Sequence, residues 1–377
     1  MQIIKKKEKI GNTLFFIGIL LEIIIMMTDH SQITLPLRGR VSHLAFLLFG
    51  CKILTTKYTR KEWIIIVLFG FLGAASYLTC GDEYFIRAIA MVVAAKEIDI
   101  YKIAKTILFA TLAGTTVIVV LSLTGTLGTV VDIRNYGRGM EEARWCLGFS
   151  HANNVHSILW YIMAFYFFLE NEKCSWKHYL GFTIANVLLF LLTASRTGAL
   201  VVQILVIGCA AVRYLPALCR NIVPYLLAVS GLLGCLFVTL LGGLGGLRGR
   251  FSPLSMKLDD LLTGRLEMVW EYAPVSKWTL FPGSTSLNFV DNGFACIFYS
   301  YGIVIGITYI VLLLYMIYHM YKTGNGVAVV FLVTVIFITV MESTFILNTS
   351  LLCNPVLFLL FNEWYRPNAV KKIEVSA

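Results

Sequence analysis

The sequence predicts an all-α polytopic membrane protein with about twelve transmembrane helices. Apolar residues make up 58% of the 377 residues, charged residues only 14%, and the mean hydropathy is +0.79. A soluble domain is usually about 25% charged. The apolar residues also gather in blocks that are long enough to cross a bilayer. Because no polar stretch is long enough to fold alone, we expect one integral membrane domain over residues 1–377.

The apolar blocks place the helices along the chain. Predicted spans lie near residues 11–28, 40–55, 63–80, 83–97, 107–125, 149–169, 178–194, 197–213, 222–241, 293–318, 326–342 and 344–362. Lysines precede the first span without a cleavage site, which indicates a retained helix rather than a signal peptide.

Two segments between the predicted spans are long, an outer loop over residues 126–148 and a large outer loop over residues 242–292. The large loop opens with Gly242-Gly243-Leu244-Gly245-Gly246, which predicts a flexible hinge. An amphipathic helix is expected near residues 257–272, its apolar face formed by Leu258, Leu261, Leu262, Leu266, Val269 and Trp270. Loops of this length usually bind or gate something.

The basic residues predict the orientation. With a cytoplasmic N-terminus, the cytoplasmic segments hold most of the 31 basic residues, chiefly lysines, which fits the positive-inside rule. An even number of spans returns the C-terminus, with Lys371 and Lys372, to the same side. The sequence therefore predicts a multi-pass protein with both termini cytoplasmic.

The basic residues predicted at the outer face are nearly all arginine. They are Arg38, Arg40, Arg87, Arg134, Arg138, Arg144, Arg196, Arg248, Arg250, Lys257, Arg265 and Lys277. Arg196 lies between two apolar runs, where an unpaired guanidinium costs about 2.5–3.5 kcal/mol at mid-depth. Each arginine has two explanations, pairing with headgroups and loop carboxylates or binding a phosphate through its planar fork. The outer bias of the set favours a bound anion.

Four polar clusters fall at the outer mouth, and they are Arg144–Asn154, Ser195–Gly198, Thr263–Arg265 and Asp291–Gly293. His151 and Asn154 are three residues apart and share a helix face. Three predicted N-caps, Ser150, Ser195 and Asp291, would bring helix N-termini, which attract anions, beside the arginines. The alternative is that these residues only cap helices and pair with one another.

Glu22 and Arg87 are charged residues within predicted spans. Two interpretations are open for these residues: they form a structural ion pair with each other, or they line a substrate path. The sequence has no Walker loop, Asp-x-Asp motif or zinc-ligand spacing, and it predicts no metal, no cofactor and no nucleic-acid partner. A donor used at the outer face must already be activated and in the membrane, and lipid diphosphate-linked glycans meet both conditions.

At these residues the chain resembles bacterial polysaccharide polymerases of the O-antigen ligase/polymerase superfamily. The resemblance covers roughly residues 80–320 and rests on an ordered set of motifs, Arg144 with Gly148–Asn153, Ser195–Gly198, Gly264-Arg265, Leu280–Gly283, and Asp291-Asn292 ahead of Tyr301-Gly302. Two positions depart from the family pattern. Ala152 stands where proline often follows the histidine, and Asp291 stands where the ligase branch usually has histidine. The second departure favours a polymerase and makes Asp291 a candidate base.

The resemblance implies an inverting, metal-independent glycosyltransferase with a GT-C-like helical bundle. Such enzymes join oligosaccharide repeat units of O-antigen, capsule or exopolysaccharide, carried on undecaprenyl diphosphate, at the outer face of the bacterial cytoplasmic membrane. Further implied partners are the lipid bilayer, a chain-length regulator and a flippase.

The resulting hypothesis assigns roles to the outer residues. Asp291 or His151 removes the proton of the attacking hydroxyl, and Arg196, Arg265 and Arg144 neutralise the departing diphosphate. Five residues are predicted to bind substrate, Arg144, Asn154, Ser195, Asn292 and Arg87. The alternatives are a ligase that moves finished glycan to another acceptor, and a lipid-glycan flippase or transporter. Transporters usually place charges near mid-membrane on repeated, broken helices, unlike the arrangement here.

Overall fold

The computed structural model describes residues 2–81, 83–135, 141–248, 252–283 and 290–343. The chain is mostly helical, and six of the described helices are long and apolar enough to cross a membrane. Those six cover Lys7–Asp29, Arg60–Cys80, Ile100–Leu123, Arg196–Tyr214, Val223–Gly243 and Gly293–Thr323. The prediction of a helical, membrane-embedded protein is therefore confirmed at this level.

The first part of the chain forms α1 (Gln2–Asp29), α2 (Arg38–Thr55), α3 (Arg60–Cys80), α4 (Tyr84–Ala94), α5 (Ile100–Leu123), β1 (Val131–Asn135), β2 (Glu141–Trp145), α6 (Ala152–Glu170), α7 (Trp176–Thr193) and α8 (Arg196–Tyr214). The second part forms α9 (Ala217–Arg220), α10 (Val223–Gly243), α11 (Ser252–Leu261), α12 (Arg265–Tyr272), α13 (Gly293–Cys296), a π-helical turn (Ile297–Tyr301), α14 (Gly302–Thr323) and α15 (Gly326–Met341). Short 3₁₀ turns cover Asn171–Lys173, Gly246–Arg248 and Val275–Lys277.

A helix occupies every predicted span from 11–28 to 326–342. The predicted span 344–362, the C-terminal lysines, Arg138 and Arg250 lie outside the described residues. The fourth prediction is too long, because α4 has 11 residues and reaches roughly 16 Å, about half the hydrocarbon thickness. It packs against α3 across a tight turn at Gly81, whose φ of 69° is readily adopted by glycine.

A β-hairpin occupies part of the loop predicted over residues 126–148. Strands β1 and β2 pair in antiparallel register, with Asp132 opposite Arg144. Gln32, which follows α1, fixes the base of this hairpin, since its Nε2 donates to Thr129 Oγ1 at 3.0 Å and its Oε1 accepts from Thr129 N at 2.9 Å. The all-α prediction therefore omitted one small sheet.

The amphipathic helix predicted near 257–272 is two helices, and this prediction was wrong. Thr263 and Gly264 have φ values of 59° and 79°, and they break the chain between α11 and α12. As a result the predicted apolar face is not continuous, because Leu266 and Val269 are buried whereas Leu261 is exposed.

The predicted glycine hinge is also a packing element rather than a flexible one. Gly242 and Gly243 complete the last turn of α10. A Cβ added at Gly242 would lie 3.0 Å from Leu266 O, and one added at Gly245 would lie 2.9 Å from the Trp270 ring. The glycines therefore allow α12 to approach the end of α10 closely.

Contacts between loops define the two ends of the bundle. At one end, Gln32 bonds Thr129 and Phe149, and Cys80 Sγ approaches Ser300 O. At the other end, Lys96 Nζ pairs with Glu62 at 2.8 Å. We call the first of these the site end. It gathers the segments predicted to lie outside.

Candidate functional site

The centre of the candidate site is a cluster of one arginine and two carboxylates at the site end. Arg265 is the first residue of α12, and its position is set by the turn at Gly264. Asp259 stabilises the start of that helix, because its Oδ1 accepts from the backbone N–H groups of Leu266 at 2.7 Å and Glu267 at 3.2 Å. The guanidinium is thus placed by a capped helix start.

The guanidinium of Arg265 is held from several sides. Its Nε donates to Met341 O at 2.7 Å and its Nη1 to Leu262 O at 2.8 Å. Its Nη2 lies 3.5 Å from Glu342 Oε1 and 4.0 Å from Asp291 Oδ2. Arg265 therefore joins the end of α15, the α11–α12 turn and the segment before α13, and it faces two acids with one positive charge.

The two acids differ in exposure. The Glu342 side chain is 16% exposed and the Asp291 side chain 41% exposed. The pKa of Glu342 is raised to about 7; burial is the largest cause, the nearby Asp291 charge adds to it, and Arg265 opposes both. Burial likewise raises the pKa of Asp291 against the opposing effect of Arg265. Because the two acids share one cation, each makes it harder for the other to ionise, and they titrate as a pair.

The start of α6 completes this cluster. Asn153 Nδ2 donates to Glu342 Oε1 at 3.1 Å. His151, not the predicted Ser150, is the N-cap of α6, and its Nδ1 accepts from Asn153 N at 3.1 Å. In a neutral imidazole with Nδ1 as acceptor, the proton lies on Nε2. This arrangement suits His151 as a hydrogen-bond donor, and it leaves the role of base to the carboxylates.

The predicted N-cap at Asp291 is also one residue early. Asn292 is the N-cap of α13, and its Oδ1 accepts from Ala295 N at 2.9 Å. Its amide also bonds Thr239 Oγ1 on α10, and the residue is buried. Asn292 therefore anchors the helix start and leaves the Asp291 carboxylate beside Arg265.

Arg196 lies at the N-terminus of α8 and is exposed. Within the described part of the chain, its guanidinium has no hydrogen bond or ion pair. Ser195 is the N-cap by position, as predicted, but it is buried and its side chain makes no capping bond. The first N–H groups of α8 therefore lack a side-chain cap beside an open guanidinium.

Gly198 brings the start of α8 against α6. A Cβ at this position would lie 2.5 Å from His156 Cβ and 2.9 Å from Ser195 Oγ. His156 is one turn after Asn153 on α6, so Arg196 is on the helix next to the one that bonds Glu342. The structure thus places Arg196 and the Arg265 cluster on adjacent elements at the site end.

Arg144 and Asn154 are engaged elsewhere at this end. Arg144 donates to Glu142 Oε2 from Nε at 3.0 Å and from Nη2 at 2.7 Å, and it is buried in β2. Asn154 Nδ2 donates to Ser150 Oγ at 2.8 Å and to His30 O at 3.3 Å. The Arg144 bonds stay within β2, and the Asn154 bonds tie the start of α6 to the residue that follows α1. They do not join either side chain to Arg265.

Arg87 belongs to a separate buried charge network. Its Nη2 donates to both carboxylate oxygens of Glu22 at 2.8 and 2.6 Å, and its Nη1 lies 3.0 Å from Glu83 Oε1. Arg87 is 1% exposed. The structural alternative raised for Glu22 and Arg87, an ion pair, is present in the fold.

Two of the motifs noted in the sequence pack directly on each other. Gly302 has a φ of 83°, and a Cβ there would lie 2.7 Å from the carbonyl carbon of Phe281. The backbone N–H of Ile303 donates to Thr279 O at 2.9 Å, and that of Val304 to Leu280 O at 3.1 Å. The turn at Leu280–Gly283 therefore caps the junction of the π-helical turn and α14.

Glu342 is the site residue that the sequence predictions missed, whereas Asn153 was placed in the polar cluster Arg144–Asn154 without a role of its own. Glu342 follows an uninterrupted apolar run, and a carboxylate at that place resembles an ordinary solvated helix end. The only sequence signal was its predicted position at the outer face, the same face as Arg265 and Asp291.

Comparisons of the chain with protein-family models, with curated proteins and with solved structures gave no match.

Proposed function

We propose that this chain is a bacterial polysaccharide polymerase that joins undecaprenyl-diphosphate-linked oligosaccharide repeat units at the outer face of the cytoplasmic membrane. The observation that carries the proposal is that an open guanidinium, Arg196 at the start of α8, and the acid cluster at Arg265 lie on adjacent elements at one end of the bundle. A diphosphate leaving group needs a cation, and an attacking hydroxyl needs a base.

In the proposed reaction, a hydroxyl of one lipid-linked repeat unit attacks the anomeric carbon of the growing chain. The hydroxyl O–H bond breaks and Asp291 takes the proton, while a new carbon–oxygen bond forms with inversion. The bond between the anomeric carbon and the diphosphate breaks, and the diphosphate leaves with the electron pair. General-base help of this kind contributes about 10²–10⁴-fold.

Arg196 and the start of α8 bind the departing diphosphate in this proposal. The guanidinium presents a planar fork, and the first N–H groups of the helix add donors and a favourable dipole. Arg265 is not assigned to the diphosphate, because its Nε and Nη1 already donate to backbone carbonyls. Its positive charge instead balances the two acids. Arg144, Asn154, Asn292 and Arg87 act by holding the surrounding elements in place.

We also propose that the chain has about twelve spans in a GT-C-like bundle, with both termini cytoplasmic and the site end outside. The donor and the acceptor are both undecaprenyl-diphosphate-linked oligosaccharides, and a flippase and a chain-length regulator are the expected partners in the membrane.

The experiment is complementation of a deletion strain with Arg196→Lys, using Arg213→Lys as the matched control. Arg213 is exposed in the last turn of the same helix, at the opposite end. Because one ammonium cannot reproduce the fork, we expect Arg196→Lys to lose most long polymer and Arg213→Lys to retain it. Full-length polymer from Arg196→Lys at normal expression would refute the assignment.

The same strains separate the polymerase from the alternatives. Loss of a polymerase leaves single repeat units on the lipid carrier. Loss of a ligase instead leaves long chains that are not attached to an acceptor, and loss of a flippase leaves lipid-linked units on the cytoplasmic side.

A further inference from the structure

Glu342 is placed where three distant segments of the chain meet. It follows α15, accepts a hydrogen bond from Asn153 at the start of α6, and faces Arg265 at the start of α12. Arg265 is 77 residues earlier in the chain and Asn153 is 189 residues earlier. A helix-end carboxylate that only met solvent would need neither contact.

The charges around Glu342 do not balance. From α12 it faces the Arg265 guanidinium, and from the segment before α13 it faces the Asp291 carboxylate. From α6 it faces the neutral Asn153 amide, next to the imidazole of His151. With both acids ionised, one cation serves two anions in a partly buried place, and each acid strengthens the hold of the other on a proton.

We infer that Glu342 is a positioning residue of the proposed reaction: it acts through Arg265 and Asp291, holding the guanidinium in place and making Asp291 a stronger base. This inference rests on the proposed function. Asp291 is the more exposed acid and meets the acceptor hydroxyl, whereas Glu342 is the more enclosed one and is fixed by Asn153.

The proton path follows from this arrangement. The acceptor hydroxyl gives its proton to Asp291 as the new glycosidic bond forms and the diphosphate departs. The acid pair, which was doubly ionised, then carries one proton and is matched by the single charge of Arg265. The proton afterwards leaves to solvent, which restores the doubly ionised base. Activity therefore requires the doubly ionised pair and rises with pH through the neutral range.

The test is the pH profile of polymer formation by the purified full-length protein with a lipid-linked repeat unit. Glu342→Gln removes the neighbouring negative charge, so Asp291 ionises more readily but is a weaker base. We expect its half-maximal activity to move about one pH unit towards acid and its plateau to fall roughly 3- to 10-fold.

Asn153→Ala provides an independent second variant with the opposite sign. It removes a donor that favours the ionised form of Glu342, so the half-maximal activity should move towards alkaline pH. The matched control is Glu267→Gln, which removes an exposed carboxylate on the same α12 and should retain the wild-type profile.

The outcomes separate this inference from the proposed function. If the wild-type protein forms no polymer from lipid-linked units, the proposed function is wrong. If the wild-type protein polymerises but Glu342→Gln keeps the wild-type rate and profile, or loses activity with no pH shift, only the inference about Glu342 is wrong. Should Glu342→Gln fail to fold, the profile of Asn153→Ala decides, and an unshifted profile overturns the inference.

Discussion

Replacing Arg87 by methionine should destabilise the fold strongly, because it leaves a carboxylate without a partner. Both oxygens of Glu22 are bonded by Arg87, and no other partner is present among the described residues. Glu83 loses less, since Ser42 Oγ donates to it at 2.6 Å and His43 lies 3.1 Å away. Breaking a buried pair by removing one partner costs about 3–5 kcal/mol.

A double-mutant cycle isolates the pair. Glu22→Leu combined with Arg87→Met removes both charges of this pair and leaves Glu83 with Ser42 and His43, so the double variant should regain about 2 kcal/mol or more relative to the sum of the single variants. Chemical unfolding in mixed micelles, with polymer formation measured in parallel, checks both values. If Arg87→Met loses less than about 1 kcal/mol of stability but abolishes polymer formation, Arg87 is a substrate ligand and the structural assignment fails.

Two further predictions concern packing and capping at the site end. Gly198→Ala forces a methyl group to 2.5 Å from His156 Cβ, and it should destabilise the protein by about 1–3 kcal/mol. The control Gly181→Ala, where a Cβ would meet no atom within 4 Å, should be neutral or stabilising. Equal unfolding midpoints for the two variants would contradict the close contact at Gly198. Asn292→Ala removes a helix cap and the bond to Thr239, so the free energy of unfolding should fall by about 1–2 kcal/mol. An unchanged unfolding midpoint would argue against the capping role.

The long helices could be predicted from the sequence because apolar length alone specifies them. The short α4 was overestimated, since an apolar block does not reveal where the chain turns at Gly81. The hairpin left a weak signal in the alternation of Val131 and Ile133 with polar neighbours, which the surrounding loop composition hid. The break at Thr263 was missed because the helical apolar pattern continues through it.

The site could be predicted only in part. Capping residues were displaced by one position because Ser150 and His151, like Asp291 and Asn292, are adjacent residues that can both accept a hydrogen bond. The role of Glu342 depends on tertiary contacts, and nothing in its local sequence distinguishes it from a solvated helix end.

The most direct measurement is reconstitution of the purified protein in proteoliposomes with a synthetic undecaprenyl-diphosphate-linked repeat unit. We expect a ladder of longer lipid-linked chains, with one undecaprenyl diphosphate released for each linkage formed, and near-complete loss of both products in Arg196→Lys. Absence of chain growth with correctly folded protein, or undiminished growth in Arg196→Lys, would contradict the central claim that this guanidinium receives the departing diphosphate.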